Sequence, residues 1–267
     1  MIQAVLGHGS YVIQELVVRV LDVAPTGSAA DRYLRWAGLV VGVVAARVVG
    51  HAVDDGEAGV LYAIPVFGLC AVAGVLVADV LTARPHGPVR TAGLAPRRVR
   101  DYVPPRMTLL LVAEAVFLVV LLVVAAVLAS PDDVGRAGRS LAVTCPDGST
   151  VSTGPWPGLF YGLPILASLA VSTAVCLWSL TRIARRPGDE ATRRNRALAI
   201  VAAWGLLVSA PLLGAASTAS GALLGITCDG TGGRVGNWAL WPTALIALVT
   251  VAWCLFTVIS PKARGHR

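Results

Sequence analysis

Residues 107–129 read MTLLLVAEAVFLVVLLVVAAVLA, an apolar run broken by a single ionisable side chain, Glu114. A helix rising about 1.5 Å per residue crosses a hydrocarbon core of about 30 Å in about 20 residues, so this stretch is long enough to span a bilayer. It shows no alternation of period two, which argues against a barrel strand. A helix satisfies its backbone polar groups within itself, as hydrocarbon demands.

Five further stretches read the same way, at 34–52, 59–83, 158–180, 197–219 and 238–259. Across all 267 residues 56% are hydrophobic and 14% are charged, with mean hydropathy +0.73. Soluble domains carry about 25% charged residues. The shortfall excludes a soluble enzyme, a disordered chain and a nucleic-acid-binding domain. The expected fold is an all-α polytopic bundle of six transmembrane helices over 31–260, built as three helical hairpins. Residues 1–30 form a cytoplasmic segment and 261–267 a cytoplasmic tail.

Within the first segment, Val12, Ile13, Leu16, Val17, Val20 and Leu21 recur at helical spacing. Glu15 and Arg19 interrupt the apolar run and no basic stretch precedes it, unlike a signal peptide. The spacing predicts an amphipathic helix over 11–23, lying on the inner membrane surface or packed on the bundle.

Orientation follows the excess of Arg and Lys on the cytoplasmic side. Eighteen basic residues fall in the segments before the first span, in the loops after the second and fourth spans, and in the tail. The opposite side holds three, Arg136, Arg139 and Arg234. Both termini are therefore expected in the cytoplasm. The charge of +7 is accounted for by this asymmetry and calls for no nucleic acid. The partners it implies are membrane lipid and a protein docking at the inner Arg-rich loops.

The second and fourth spans align without a gap at an offset of 99 residues. Gly59, Tyr62, Pro65, Ala71, Val72, Leu81 and Thr82 match Gly158, Tyr161, Pro164, Ala170, Val171, Leu180 and Thr181. Setting Pro242 on Pro164 brings Val249, Ala252, Cys254 and Leu255 onto Val171, Ala174, Cys176 and Leu177, with Thr250 on Ser172. An internal repeat is expected, with Tyr62, Pro65, Tyr161, Pro164 and Pro242 as its markers. Each proline sits about one turn into its span, where it costs little hydrogen bonding.

Three ionisable residues fall inside spans: Glu114, Asp79 near the inner end of the second, and Arg47 in the outer half of the first. Such residues normally face the bundle interior and pair. One reading makes Glu114 and Asp79, at similar depth, a proton- or cation-sensitive site. The other makes Glu114 a polar clasp to a hydroxyl or basic partner, with Asp79 snorkelling to the surface and Arg47 reaching Asp54 or Asp55.

Cys70, Cys176 and Cys254 lie within spans as small apolar residues. Cys145 and Cys228 fall outside, in the related contexts Thr144-Cys145-Pro146-Asp147-Gly148 and Thr227-Cys228-Asp229-Gly230. A disulfide between them is expected, since the outer compartment permits one. The loop of about 28 residues between spans 3 and 4 is rich in Gly, Pro and Ser and is open to a lid or binding-surface reading.

No phosphate loop, dinucleotide fingerprint, His-Glu-x-x-His or Cys-x-x-Cys occurs. The chain is expected to be no enzyme and to need no metal or cofactor. Residues 89–104, VRTAGLAPRRVRDYVP, together with the Arg-rich composition, resemble uncharacterised multi-pass membrane proteins of actinobacteria. The resemblance implies a plasma-membrane location and supplies no activity. Two functions are consistent with these readings. The first is a small transporter or the membrane subunit of one. The second is a non-catalytic sensor or scaffold that recruits a cytoplasmic partner.

Overall fold

The computed structural model describes residues 28–53, 59–81, 105–132, 135, 137–185, 190–226, 228 and 232–260. Six helices, each long and apolar enough to cross a membrane, make up nearly all of it: α1 (Ser28–Val53), α2 (Gly59–Leu81), α3 (Pro105–Leu128), α4 (Leu159–Arg185), α5 (Glu190–Gly225) and α6 (Gly232–Ile259). The amphipathic helix read over 11–23, the tail 261–267 and most of the Arg-rich loops lie outside the described residues.

α5 is the centre of the bundle and packs against α2, α3, α4 and α6. It is apolar around its whole circumference and rich in Ala and Gly, so its neighbours approach its backbone closely. An ideal Cβ on Gly205 would stand 2.6 Å from Cys254 Sγ of α6 and 3.0 Å from Leu111 of α3. α1 is peripheral and leans on α2. Gly38 and Gly74 meet there backbone to backbone, with 2.6 Å from an ideal Cβ on Gly38 to the Gly74 Cα.

α5 runs for 36 residues, about 54 Å, well beyond a hydrocarbon core of about 30 Å. The apolar stretch 197–219 marks only its middle. The polar turns of Glu190–Arg196 continue the helix, since Glu, Ala and Arg favour a helix in water as well.

The bundle presents its apolar side chains outward. Val40, Val44 and Val48 of α1, Val120 and Val127 of α3 and Leu248 and Val249 of α6 are all exposed. Exposed aromatics gather toward the ends of the helices. Trp238 and Trp241 lie at the start of α6 and Trp253 and Phe256 toward its end; Trp178 lies near the end of α4, and Tyr33 and Trp36 near the start of α1. Trp238 and Phe256 are 18 residues apart on one helix, about 27 Å, the spacing of two aromatic belts flanking hydrocarbon.

The all-α expectation needs one correction. The connection between α3 and α4 folds into an antiparallel hairpin, β1 (Leu141–Thr144) and β2 (Thr150–Thr153), with Thr144 opposite Thr150. Pro146-Asp147-Gly148 makes its turn. Gly148 takes φ +82°, a conformation open to Gly. The hydroxyl and N–H of Ser149 both donate to Asp147 Oδ1, at 2.7 and 2.9 Å, and hold the Asp147 carboxyl below the usual carboxylate range. The hairpin caps one end of the bundle. Trp156 Nε1 donates to the Ala125 carbonyl at 2.8 Å, and the Thr153 hydroxyl to the Ala222 carbonyl at 3.2 Å. Cys145 and Cys228 stand at disulfide distance, Cα–Cα 5.5 Å, and tie the cap to the connection between α5 and α6.

Candidate functional site

Glu114 lies midway along α3, the helix whose run decides the fold. The side chain faces inward and the residue is 5% exposed. Its partners come from two other helices. The Ser209 hydroxyl of α5 donates to Oε2 at 2.5 Å, and the Thr250 hydroxyl of α6 stands 2.6 Å from Oε1. Thr250 Oγ1 also lies 2.9 Å from the carbonyl oxygen of Ile246, one turn back on its own helix. Ser209 is fully buried and Thr250 nearly so. The contact is closed and polar, floored by Leu111, Gly205 and Cys254. Its chemistry is that of one carboxyl between two hydroxyls: it can hold, give and take a proton, and it can offer oxygens to a hard cation.

Asp79 belongs to a different contact. It is 6% exposed and pairs with Arg196 of α5, Nη1 to Oδ1 3.1 Å. Arg196 and Ser209 are 13 residues apart on α5, so the two contacts are separated by about 20 Å along its axis. Glu114 and Asp79 therefore do not form the common site at one depth that the sequence suggested. Hydropathy places Asp79 correctly near one end of α2. The reach of α5 beyond its apolar stretch then supplies the arginine.

Arg47 is exposed on α1 and does not face the interior. α1 packs through its Gly38 and Gly42 face, and Arg47 lies away from it. It stands six residues before Val53, about 9 Å from the helix end, within reach of a polar interface for an extended guanidinium. Asp54 and Asp55, its expected partners, lie outside the described residues.

Tyr62 and Tyr161, equivalent under the 99-residue offset, meet with ring centroids 5.6 Å apart. Phe160 joins them at 5.2 and 5.1 Å, and the Arg139 guanidinium sits 3.8 Å over its ring. The Tyr62 hydroxyl donates to the Phe160 carbonyl at 2.9 Å. That carbonyl is the one whose helical donor would be residue 164, a proline with no N–H. Pro65 and Pro164 both lie inside their helices as expected, and Pro242 lies inside α6.

Comparisons with known protein families, with curated proteins and with solved structures find no match for this chain. The site's meaning thus rests on its own geometry.

Sequence reasoning missed Ser209, Thr250 and Arg196 as partners. It also missed the Trp204 Nε1 bond to Thr173 Oγ1, 2.8 Å, between α5 and α4. Ser172, the repeat counterpart of Thr250, is 2% exposed, and its hydroxyl has no hydrogen-bond partner among the described residues. An apolar crevice of about 260 Å³ opens between α3 and α4 at Leu122, Gly162 and Leu166, away from these polar groups.

Proposed function

We propose that the protein is a polytopic plasma-membrane protein acting in transport, as a small transporter or the membrane subunit of a transport system, with Glu114 as its working ionisable group. The observation that carries this reading is the mismatch between Glu114 and its partners. A charged side chain at a helix centre costs about 2.5–3.5 kcal/mol on insertion. Two hydroxyls would be satisfied as well by an uncharged amide. A carboxyl placed where a neutral group would pack equally well is a mark of ion or proton handling.

The proposed organisation is three helical hairpins, α1–α2, α3–α4 and α5–α6, derived from a repeated unit, with both termini cytoplasmic and the hairpin cap outside. The meeting of Tyr62 with Tyr161 supports the repeat, because equivalent positions touch where copies pack about a common axis. Gly236 adds to it: like Gly59 and Gly158, it precedes its proline by six residues. The basic asymmetry supports the orientation. Transporters are commonly built from such repeats, with their sites at mid-depth.

The test compares solute and ion fluxes in cells expressing the wild type or Glu114→Gln. The expected result is at least one flux that depends on the wild type and is lost in the variant at equal membrane abundance. Identical flux profiles in both would count against transport.

A second reading, a non-catalytic scaffold or sensor, is favoured by the closed nature of the Glu114 contact. Its partner would dock at the Arg-rich loops. Capture of a stoichiometric protein partner, abolished by neutralising the arginines within residues 84–106, would establish it.

A further inference from the structure

We propose that the ion handled at this site is the proton, and that Glu114 carries it as a carboxylic acid in the conformation described here. The purpose of that proton rests on the transport reading; its placement rests on oxygen–oxygen geometry. Three close oxygen pairs meet around Glu114. They are Ser209 Oγ with Oε2 at 2.5 Å, Thr250 Oγ1 with Oε1 at 2.6 Å, and Thr250 Oγ1 with the Ile246 carbonyl at 2.9 Å. All three are hydrogen-bond distances between oxygens. A single hydroxyl proton can be divided between two acceptors, as the Thr218 hydroxyl stands 3.0 and 3.2 Å from two carbonyls, but each bond is then weakened; three contacts this short are all made at full strength only with a proton in each.

The two hydroxyls supply one proton each, and a carbonyl supplies none. Three contacts and two hydroxyl protons leave one place to fill, and the carboxyl is the one group able to fill it. Ser209 then donates to Oε2, the acid proton on Oε1 passes to Thr250 Oγ1, and Thr250 donates to the Ile246 carbonyl. Every donor has an acceptor and no charge is buried. As a carboxylate, Glu114 would take the Thr250 proton and leave the Ile246 contact without one. A metal cation would have to displace these bonds to enter, so the conformation described is the proton-loaded one.

Among the described titratable groups on the surrounding elements, the floor residue Cys254 is the one that lies close to Glu114. Cys254 lies one turn along α6 from Thr250, Cys176 on α4, Cys70 on α2 and Arg106 two turns earlier on α3. The Asp79–Arg196 pair is about 20 Å away along α5. None of them hydrogen-bonds the Glu114 carboxyl among the described residues. Loss of the proton removes one hydrogen bond from the junction of α3, α5 and α6, which couples protonation to the packing of three helices.

The test is infrared spectroscopy of the purified full-length protein at neutral pH, with glutamate carboxyls labelled with carbon-13. The expected spectrum contains the carbonyl stretch of one protonated glutamic acid. The band is lost in Glu114→Gln, kept in Asp79→Asn, and shifted in Thr250→Val, which removes its hydrogen-bond acceptor. Absence of a protonated glutamate band in the labelled wild type overturns the proposal, and so does a band indifferent to Thr250→Val. If Glu114→Gln fails to accumulate, the labelled wild type and Thr250→Val still decide. The band stands or falls without any transport. A band with no Glu114-dependent flux overturns the transport reading alone. Glu114-dependent flux with no band overturns the proton alone.

Discussion

Tyr62 of α2 completes the backbone of α4: its hydroxyl donates, at 2.9 Å, to the Phe160 carbonyl that Pro164 leaves without a helical donor. A proline inside a helix removes one i→i−4 bond. The freed carbonyl is partly withdrawn from water, and a neighbouring helix supplies the proton. Proline and tyrosine at corresponding places in two spans thus make a joint between them.

Tyr62→Phe keeps the ring contacts with Phe160 and Tyr161 and removes only the donor. The expected loss is about 0.5–1.5 kcal/mol, the net worth of one hydrogen bond to a part-buried acceptor. Thermal unfolding in detergent measures it. Pairing the change with Pro164→Ala, which restores a backbone N–H, is expected to recover part of the loss. A Tyr62→Phe protein as stable as the wild type would show that the bond contributes nothing.

The two carboxyls should respond differently to removal. Glu114→Leu takes away a group whose partners are neutral, and Thr250 already has the Ile246 carbonyl to fall back on. A loss of no more than about 1–2 kcal/mol is expected. Asp79→Leu removes the carboxylate that stands 3.1 Å from Arg196 Nη1, and breaking a buried ion pair costs about 3–5 kcal/mol. Arg196 retains 21% of its side-chain exposure, so water offsets part of that, and about 2 kcal/mol is the expected scale. Chemical or thermal denaturation of both variants side by side checks the order. A larger effect at Glu114 than at Asp79 would contradict it.

What the sequence revealed and what it hid divide along a physical line. The six spans were legible because lipid imposes a local rule: a segment in hydrocarbon is apolar and satisfies its own backbone. Glu114 stood out because it broke that rule. Ser209 and Thr250 did not stand out, because a hydroxyl in a helix commonly bonds its own preceding turn, as Thr243 and Thr257 do here. Only tertiary packing decides which hydroxyl reaches a neighbour. The length of α5 was hidden because hydropathy ends at the membrane edge while helix propensity does not. The β-hairpin had a readable signal in Pro146-Asp147-Gly148 between two short Thr- and Val-bearing stretches, and reading the connection only as a Gly-, Pro- and Ser-rich loop overlooked it. Arg47 misled because the rule that charges face inward assumes neighbours on every side, and α1 has its main contact on one.

Gly38 sets how closely α1 approaches α2. A Cβ there would stand 2.6 Å from the Gly74 Cα, backbone that cannot turn aside. Gly38→Leu is expected to push the helices apart at a cost of about 1–3 kcal/mol. Because α1 leans chiefly on α2, the loss should appear as local release: faster proteolysis near residue 53 while the remaining helices stay protected. Equal protection of α1 in wild type and variant would refute the close approach.

Ser172 offers the opposite sign. Its buried hydroxyl is unpaired among the described residues, a burden that alanine removes without leaving a large cavity. Ser172→Ala is expected to leave stability unchanged or raise it by about 1 kcal/mol. A clear destabilisation in thermal unfolding would mean that the hydroxyl is engaged, through a water molecule or in a second conformation.

The Cys145–Cys228 bond closes a loop with a sequence separation of 83 and fastens the hairpin cap to the connection between α5 and α6. In the chain-entropy model a loop of that length is worth about 4–5 kcal/mol. Here that is a ceiling, because inserted helices already restrict the unfolded chain. The cap is also held by Trp156 on Ala125 and Thr153 on Ala222, contacts that survive reduction. Reduction, or the paired change Cys145→Ser with Cys228→Ser, is therefore expected to lower thermal stability without unfolding the bundle. Hydrogen exchange should rise in 141–153 and stay low in α5. Thiol alkylation followed by mass analysis gives the direct check. In unreduced protein Cys145 and Cys228 should resist modification together and become reactive together on adding reductant. Modification of either one before reduction would show that the two are not joined.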